Sequence, residues 1–365
     1  MPAHPATSLA SLDTEYCADS AEFCPETSTG GDNLILAVGT YQLVENKDAG
    51  TSDPQAPKTV RLGRCLLYSV SSTDGDDVQL SELQRFDMPA ILDMKWAPLK
   101  TSSPPTLAIA DSKGAIHLHN FLSDSSTSQP HLELQSTHQC TEEKNLCLSL
   151  DWSNDRRSIA TSISDGSIAI VDVAQTGNDR VRERWHAHDF EPWIVAWDRR
   201  FTDVIWTGGD DCKLKGWDLR QGCERPTFVN KTFDGGVTSI QSHPIHEYSF
   251  AVGSYDGRVR LFDSRKPQRD PLTSHDVEGG AWRLKWHPSP TRPGALLVAG
   301  MHSGFHVLDA ALDSEPTPSM RTVTTFDGHE SLAYGVDWAP RERPDGRTLV
   351  ASASFYDHQL HLWTA

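Results

Sequence analysis

Residues 207–220 read TGGDDCKLKGWDLR and follow the short apolar stretch Val204, Ile205, Trp206. A Gly-Gly-Asp-Asp cluster comes next, and then Leu214, Gly216 and Asp218 alternate with Lys213, Lys215 and Trp217. Glycine tolerates positive φ and an aspartate carboxylate can bond its own backbone, so the run predicts two strands joined by a tight turn. The same form recurs at residues 163–173 (ISDGSIAIVDV), 252–265 (VGSYDGRVRLFDSR), 298–308 (VAGMHSGFHVL) and 351–363 (ASASFYDHQLHLW). One hairpin-based unit is repeated along the chain.

A second marker accompanies the hairpins: an apolar run ending in an aromatic and often a proline. It appears as AEFCP (21–25), DMKWAP (93–98), SLDWSN (149–154), IVAWDR (194–199), SIQSHP (239–244), RLKWHP (283–288) and GVDWAP (335–340). Aligned on Phe23, Trp96, Trp152, Trp197, Ser242, Trp286 and Trp338, the markers are spaced 73, 56, 45, 45, 44 and 52 residues apart. A period near that of the shorter spacings, with four strands per unit, is the signature of a propeller blade. Seven units predict an all-β, seven-bladed β-propeller occupying residues 1–365 as one domain. In each unit the aromatic-ending strand is innermost (a), the hairpin supplies b and c, and stretches such as 182–187, 226–232 and 321–326 supply the outer strand d. The last unit ends without a d strand, and the segment around residues 7–15 is expected to close it and remove a bare sheet edge. The longer spacings place polar insertions at 45–58, 71–77, 123–130 and 314–319.

Charge and cysteine usage narrow the setting. With 33 Lys+Arg against 50 Asp+Glu the formal net charge is −17, which opposes nucleic-acid binding and suits a basic partner or a cationic ligand. Seven cysteines without a CxxC pair or secretory leader predict a reduced compartment, cytosolic or nuclear, and a cytoplasmic protein is expected. No run approaches the ~18 apolar residues of a membrane span.

The hairpin-plus-Trp-Asp pattern (GWDLR, LFDSR, HLHLW), with Gly328-His329 in the GH position, resembles WD40 repeats. Several stretches fit no generic repeat: DTEYCADSAEFCP (13–25), AHDFEPW (187–193), GGDD (208–211), GGAWRLKWHP (279–288), MHSGF (301–305) and SFYDHQLHLW (354–363). In this order they resemble the WD-repeat family of diphthine methyl ester hydrolases. The resemblance implies a cofactor-free methylesterase of diphthamide biosynthesis. Its partner would be elongation factor 2 carrying a methylated, trimethylammonio-modified histidine, and its products would be diphthine and methanol. A monomer is expected. A fold alone carries no activity, so the competing expectation is a non-catalytic scaffold for protein partners.

In a propeller the d–a and b–c loops open on one face, which brings residues from Asp19 to His358 around one mouth. Ester hydrolysis needs an activated water or nucleophile, a proton acceptor and oxyanion donors. Neither GxSxG nor HExxH is present. The catalytic candidates are therefore chosen by position: His302, His358 or His188 as general base, Asp357 or Asp210 as its orienting acid, and Ser303, Tyr356 or Arg283 as nucleophile or oxyanion donor. A quaternary ammonium donates no hydrogen bond and is held by aromatic faces and carboxylates. Trp193, Trp282, Tyr255, Tyr334 and Tyr356, with Glu191, Asp210 and Asp211, are the residues expected to form such a cage.

Structural roles compete with each assignment. Asp165, Asp256 and Asp357 also suit turn formation, His329 and His188 suit bonding between strands, and Trp217 and Trp363 suit packing. Cys17 reads as a nucleophile or as an ordinary buried thiol. The close pairs His186/His188, His117/His119 and His358/His361 lack further ligands at convincing spacing, so no metal is expected.

Overall fold

The computed structural model describes residues 3–25, 33–45, 59–72, 77–99, 103–123, 129–173, 180–312 and 318–365. They form seven sheets, as the period predicts. The innermost strands are Ala18–Phe23, Ile91–Trp96, Cys147–Trp152, Ile194–Trp197, Val237–Ser242, Arg283–Trp286 and Ala333–Glu342, numbered here as blades 1 to 7. Each touches the innermost strands of the blades on either side, and the last touches the first, so the ring is closed. No α-helix occurs among the described residues, and no helix is long and apolar enough to cross a membrane.

The hairpin that opened the sequence reading pairs Val204–Gly208 with Leu214–Asp218, Gly208 standing opposite Leu214. All five residues of the second strand are buried. A strand sandwiched between two blades is covered on both faces, so burial does not follow the alternation seen in the sequence. Alternation survives on the outer strands, where one face meets water, as in Thr273–Asp276.

Closure is by the N-terminus, as expected. Ala10–Asp13 pairs antiparallel with Gln359–Thr364 and becomes the outer strand of blade 7. His4–Pro5 adds a parallel pair to the outer strand of blade 6 (Ser319–Phe326), a two-residue contact too short to leave a periodic trace. In blade 1 the b–c connection begins as a second hairpin, with Gln42–Glu45 against the start of the 14-residue strand Thr59–Ser72. Of the expected insertions, residues 46–58, 73–76, 124–128 and 314–317 lie outside the described residues.

The aromatic marker has a physical explanation. Each indole N–H at the end of an innermost strand donates to a backbone carbonyl of the preceding blade: Trp96 to Glu22 at 3.2 Å, Trp152 to Lys95 at 2.9 Å and Trp197 to Asp151 at 3.1 Å. Trp286 to Gln241 at 3.2 Å and Trp338 to Lys285 at 3.0 Å continue the belt. Where blade 5 has serine, Ser242 Oγ reaches the carbonyl of Trp197 at 3.5 Å. Tryptophan supplies apolar area and one donor, which together staple neighbouring blades.

Candidate functional site

At the opposite end of the innermost strands the d–a and b–c loops meet, as the fold requires. The amide of Asp210 donates to the carbonyl of Glu191 at 2.9 Å, Tyr255 to Gly236 at 2.9 Å, Ala333 to Met301 at 2.9 Å and Phe355 to Leu332 at 3.0 Å. Three of these bonds tie a b–c turn to the loop that enters the same blade, the bond from Ala333 to Met301 joins blades 7 and 6, and together they hold a set of aromatic side chains at the mouth.

Trp282 is the centre of that set. Its ring lies 5.7 Å from Trp193, 5.6 Å from Tyr255 and 4.8 Å from Tyr334, centroid to centroid. Tyr334 continues to Phe355 at 4.9 Å, which touches Tyr356 at 5.0 Å and Tyr41 at 6.0 Å. The Trp193 indole N–H donates to Asp210 Oδ1 at 2.7 Å, placing a carboxylate beside the rings. Tyr255 is wedged between two glycines. A Cβ on Gly236 would come within 3.2 Å of its ring and 2.5 Å of Asp210 Oδ1, and one on Gly280 within 3.2 Å of the ring and 2.7 Å of Met301 Sδ. Trp193, Trp282, Tyr255, Tyr334 and Asp210 are thus brought together, with Tyr356 at the rim, 69% exposed.

Other candidates are tied into the blades. His188 is fully buried, with Nδ1 2.8 Å from Asp211 Oδ1 and Nε2 2.8 Å from Thr207 Oγ1. Trp217 Nε1 donates to the same threonine hydroxyl at 2.9 Å. The proton order that satisfies every group runs Trp217 N–H to Thr207, Thr207 O–H to Nε2, and Nδ1–H to Asp211. Burial, against the pull of Asp211, keeps the His188 pKa below its usual value, so the ring is neutral. It has no free nitrogen for a substrate, which corrects its place among the catalytic candidates. Asp211 is equally committed, with Lys215 and Lys213 at 3.4 and 3.5 Å. Blade 7 repeats the scheme: Trp363 N–H to Ser352 at 3.1 Å, Ser352 to His329 Nε2 at 2.8 Å and Nδ1 to Ser354 at 2.6 Å. Ser354 then donates to Asp357. Asp357 also accepts the amides of Glu330 and Gln359, which makes it a turn former rather than a partner of His302 or His358. Asp165 and Asp256 likewise accept the amides of Ser167 and Arg258.

Ser303 donates to the carbonyl of Gly300 at 3.0 Å and lies 2.9 Å from His306 Nε2, so its hydroxyl is engaged within its own hairpin. His302 is exposed on that turn, and His358 is half-buried with a positive φ of 59°. No hydrogen bond joins either ring to a carboxylate among the described residues, so the expected histidine–acid pair is not formed. Glu191 is half-buried at the mouth. Arg283 points into the channel, where Nη1 bonds Asp93 Oδ1 at 2.7 Å. Below it Lys285 bonds Glu22 at 2.6 Å and faces Asp337 at 3.6 Å.

One group enters the sequence reading only as a member of the ring. Asp19, on the innermost strand of blade 1, is 7% exposed and accepts no hydrogen bond from a described residue. Burial, opposed by Arg283 and reinforced by Asp93, pushes its pKa up to about 7. Its charge is felt by the phenols of Tyr255 and Tyr334, whose own pKa values burial raises. The neighbouring Cys17 is buried with its thiol pushed up by burial, and it points to Gln42 at 3.6 Å, which does not favour a nucleophilic thiolate. A cavity of about 540 Å³ opens at the other end, lined by the tryptophan belt, but those indoles already have acceptors. Among the described residues no cluster of three or more His, Cys, Asp or Glu is arranged to hold a metal.

Residues 227–263 match the WD40 family, described as "WD domain, G-beta repeat". The whole chain aligns with 94% of a chain in a mitotic checkpoint complex crystal structure at a TM-score of 0.68 and 16% identity, a likeness of fold. Diphthine methyltransferase of Mus musculus is 38% identical over 343 residues, 91% of this chain and 69% of that protein. Its counterpart in Schizosaccharomyces pombe is 30% identical over 98% of both chains. The chain belongs to the diphthine methyltransferase family. The Dictyostelium discoideum homolog, at 31% identity over 96% of both chains, extends the likeness around nearly the entire ring. Diphthine methyltransferases carry a name that speaks of methyl transfer, where the sequence reading expects hydrolysis of a methyl ester.

Proposed function

We propose that this chain acts in diphthamide biosynthesis as an ester hydrolase, removing the methyl group from diphthine methyl ester on elongation factor 2 to give diphthine and methanol. Membership in a family named for diphthine supports the substrate. The carrying observation is the aromatic mouth: three rings around Trp282 with the Asp210 carboxylate alongside. A trimethylammonio group offers only diffuse positive charge, and ring faces beside a carboxylate match it. Tyr356 and Glu191 extend the cage to the rim, where a protruding histidine of a large protein enters, and Arg283 closes the floor. The methyl-transfer reading and the hydrolytic one concern the same group moved in opposite directions. Hydrolysis is favoured because an unpartnered carboxyl group, Asp19, shares the mouth with the rings.

The cage is tested with Trp282→Ala. KM should rise roughly ten-fold for the trimethylammonio ester, in line with a lost cation–π contact, and far less for an uncharged ester. Equal increases for both esters would remove the cage. A pure scaffold, the alternative that the WD40 fold supports, would bind elongation factor 2 and leave its mass unchanged.

A further inference from the structure

Two polar groups at the mouth have no hydrogen-bond partner among the described residues: the buried indole N–H of Trp282 and the carboxyl of Asp19, a residue 7% exposed. Trp282 Nε1 is buried with no hydrogen-bond partner among the described residues, although its ring touches Trp193, Tyr255 and Tyr334. Asp19 accepts no hydrogen bond from a described residue, and the nearby cation Arg283 bonds Asp93 instead. Buried donors and acceptors are nearly always satisfied within the protein or by a ligand. Here an N–H donor and a carboxyl acceptor stand orphaned in one opening, on blades 6 and 1, joined by the phenols of Tyr255 and Tyr334 that feel the charge of Asp19.

We propose that Asp19 is the general base of ester hydrolysis and that the Trp282 indole N–H donates to the oxyanion. This rests on the hydrolase reading and adds the reacting groups to it. The Asp19 carboxylate takes a proton from a water molecule as the water oxygen bonds to the ester carbonyl carbon. The carbonyl π electrons move to oxygen, and the resulting oxyanion accepts a hydrogen bond from Trp282 Nε1–H. The intermediate collapses by breaking the bond from carbonyl carbon to methoxy oxygen. Protonated Asp19 gives its proton to the departing methoxide, methanol leaves, and the new carboxylic acid releases its own proton to solvent. No oxidant, metal or covalent enzyme intermediate is needed.

The environment suits that task. A base works best with a pKa near the working pH, and burial brings Asp19 to about 7. The groups facing it are Arg283 from blade 6, Asp93 from blade 2, Tyr255 from blade 5, Tyr334 from blade 7 and, on its own blade, Cys17. Asp93 is in turn 3.5 Å from Lys95 and is held below its usual value, so of these two acids Asp19 is the one pushed up; Glu22, deeper in the channel beside Lys285, is also pushed up to about 7 by burial.

The experiment is steady-state kinetics on elongation factor 2 bearing the methyl ester, with methanol as the readout. Asp19→Asn should lower kcat by ~10²–10⁴-fold with little change in KM, the usual range for a lost general base. The wild-type rate should fall on the acid side of about pH 7, and this limb should vanish in Asp19→Asn while Asp19→Glu restores part of both rate and limb. Trp282→Phe keeps a ring and removes the N–H, and should lower kcat by ~10²–10³-fold. A wild-type protein that releases no methanol would sink the hydrolase reading itself. An active wild type whose Asp19→Asn variant keeps its kcat or its acid limb would overturn this assignment alone, leaving hydrolysis intact.

Discussion

Trp282 and Trp286 sit four positions apart around one short strand, Arg283–Trp286, and point to opposite ends of the ring. Trp286 bonds the carbonyl of Gln241 and belongs to the belt, whereas the indole N–H of Trp282 bonds nothing. Trp193 and Trp197 make the same contrast around Ile194–Trp197: Trp197 donates to a backbone carbonyl of blade 3, Trp193 to the Asp210 carboxylate at the mouth. The residue type is identical, and partner and place together separate the roles. For these two pairs a backbone acceptor on the preceding blade goes with assembly, and the place of the ring at the mouth, not the kind of acceptor alone, marks the other role: Trp217 and Trp363 also donate to side chains, but inside their own blades.

The sharpest way to break this contrast is at the belt. Trp152→Ala removes a buried ring and an inter-blade hydrogen bond, and should cost ~3–5 kcal/mol in urea unfolding, while the protein that remains folded turns over normally. A loss below ~1 kcal/mol would mean that the belt does not staple the blades. Asp19 offers a change of opposite sign. An unfolded aspartate loses its proton near pH 4, whereas buried Asp19 holds its proton to about 7. Between those values the native state binds the extra proton, so the contribution of Asp19 to wild-type stability falls as pH rises from about 4 to about 7 and then levels. Asparagine escapes this penalty. Asp19→Asn should therefore be ~2 kcal/mol more stable than wild type near pH 8 and no more stable near pH 4. A less stable variant near pH 8 would make Asp19 a needed counter-charge for Arg283. The smallest effect belongs to the rim: Tyr356→Ala, a mostly exposed ring, should shift stability by no more than ~0.5 kcal/mol while weakening substrate capture.

The ring was legible because its signals are local. Glycine and aspartate at hairpin turns, and an aromatic every blade, survive in one dimension; so does the missing final strand, which sends the search to Ala10–Asp13. The aromatic cluster at the mouth was legible by two routes: Trp193, Trp282 and Asp210 lie in stretches that fit no generic repeat, whereas Tyr255 and Tyr334 follow from the loop positions that a propeller sets on one face. The roles of His188 and Asp357 were harder. Each depends on a hydroxyl and an indole across the blade, Thr207 with Trp217 and Ser354 with its neighbours, and that partnership exists only once the strands are in register. Asp19 was hardest. Its chemistry comes from Arg283, Asp93, Tyr255 and Tyr334, which belong to four other blades, and a fully buried strand carries no alternation to mark which side chain faces the channel.

The central claim is that the aromatic mouth delivers water to an ester carbonyl, and isotopic labelling tests it most directly. Methyl-esterified elongation factor 2 is incubated with the protein in water carrying heavy oxygen, and the modified peptide is weighed. The predicted product has lost its methyl and holds one heavy oxygen in the new carboxylate, with unlabelled methanol released. A peptide of unchanged mass, one that has gained a methyl, or heavy oxygen found in the methanol would contradict the account.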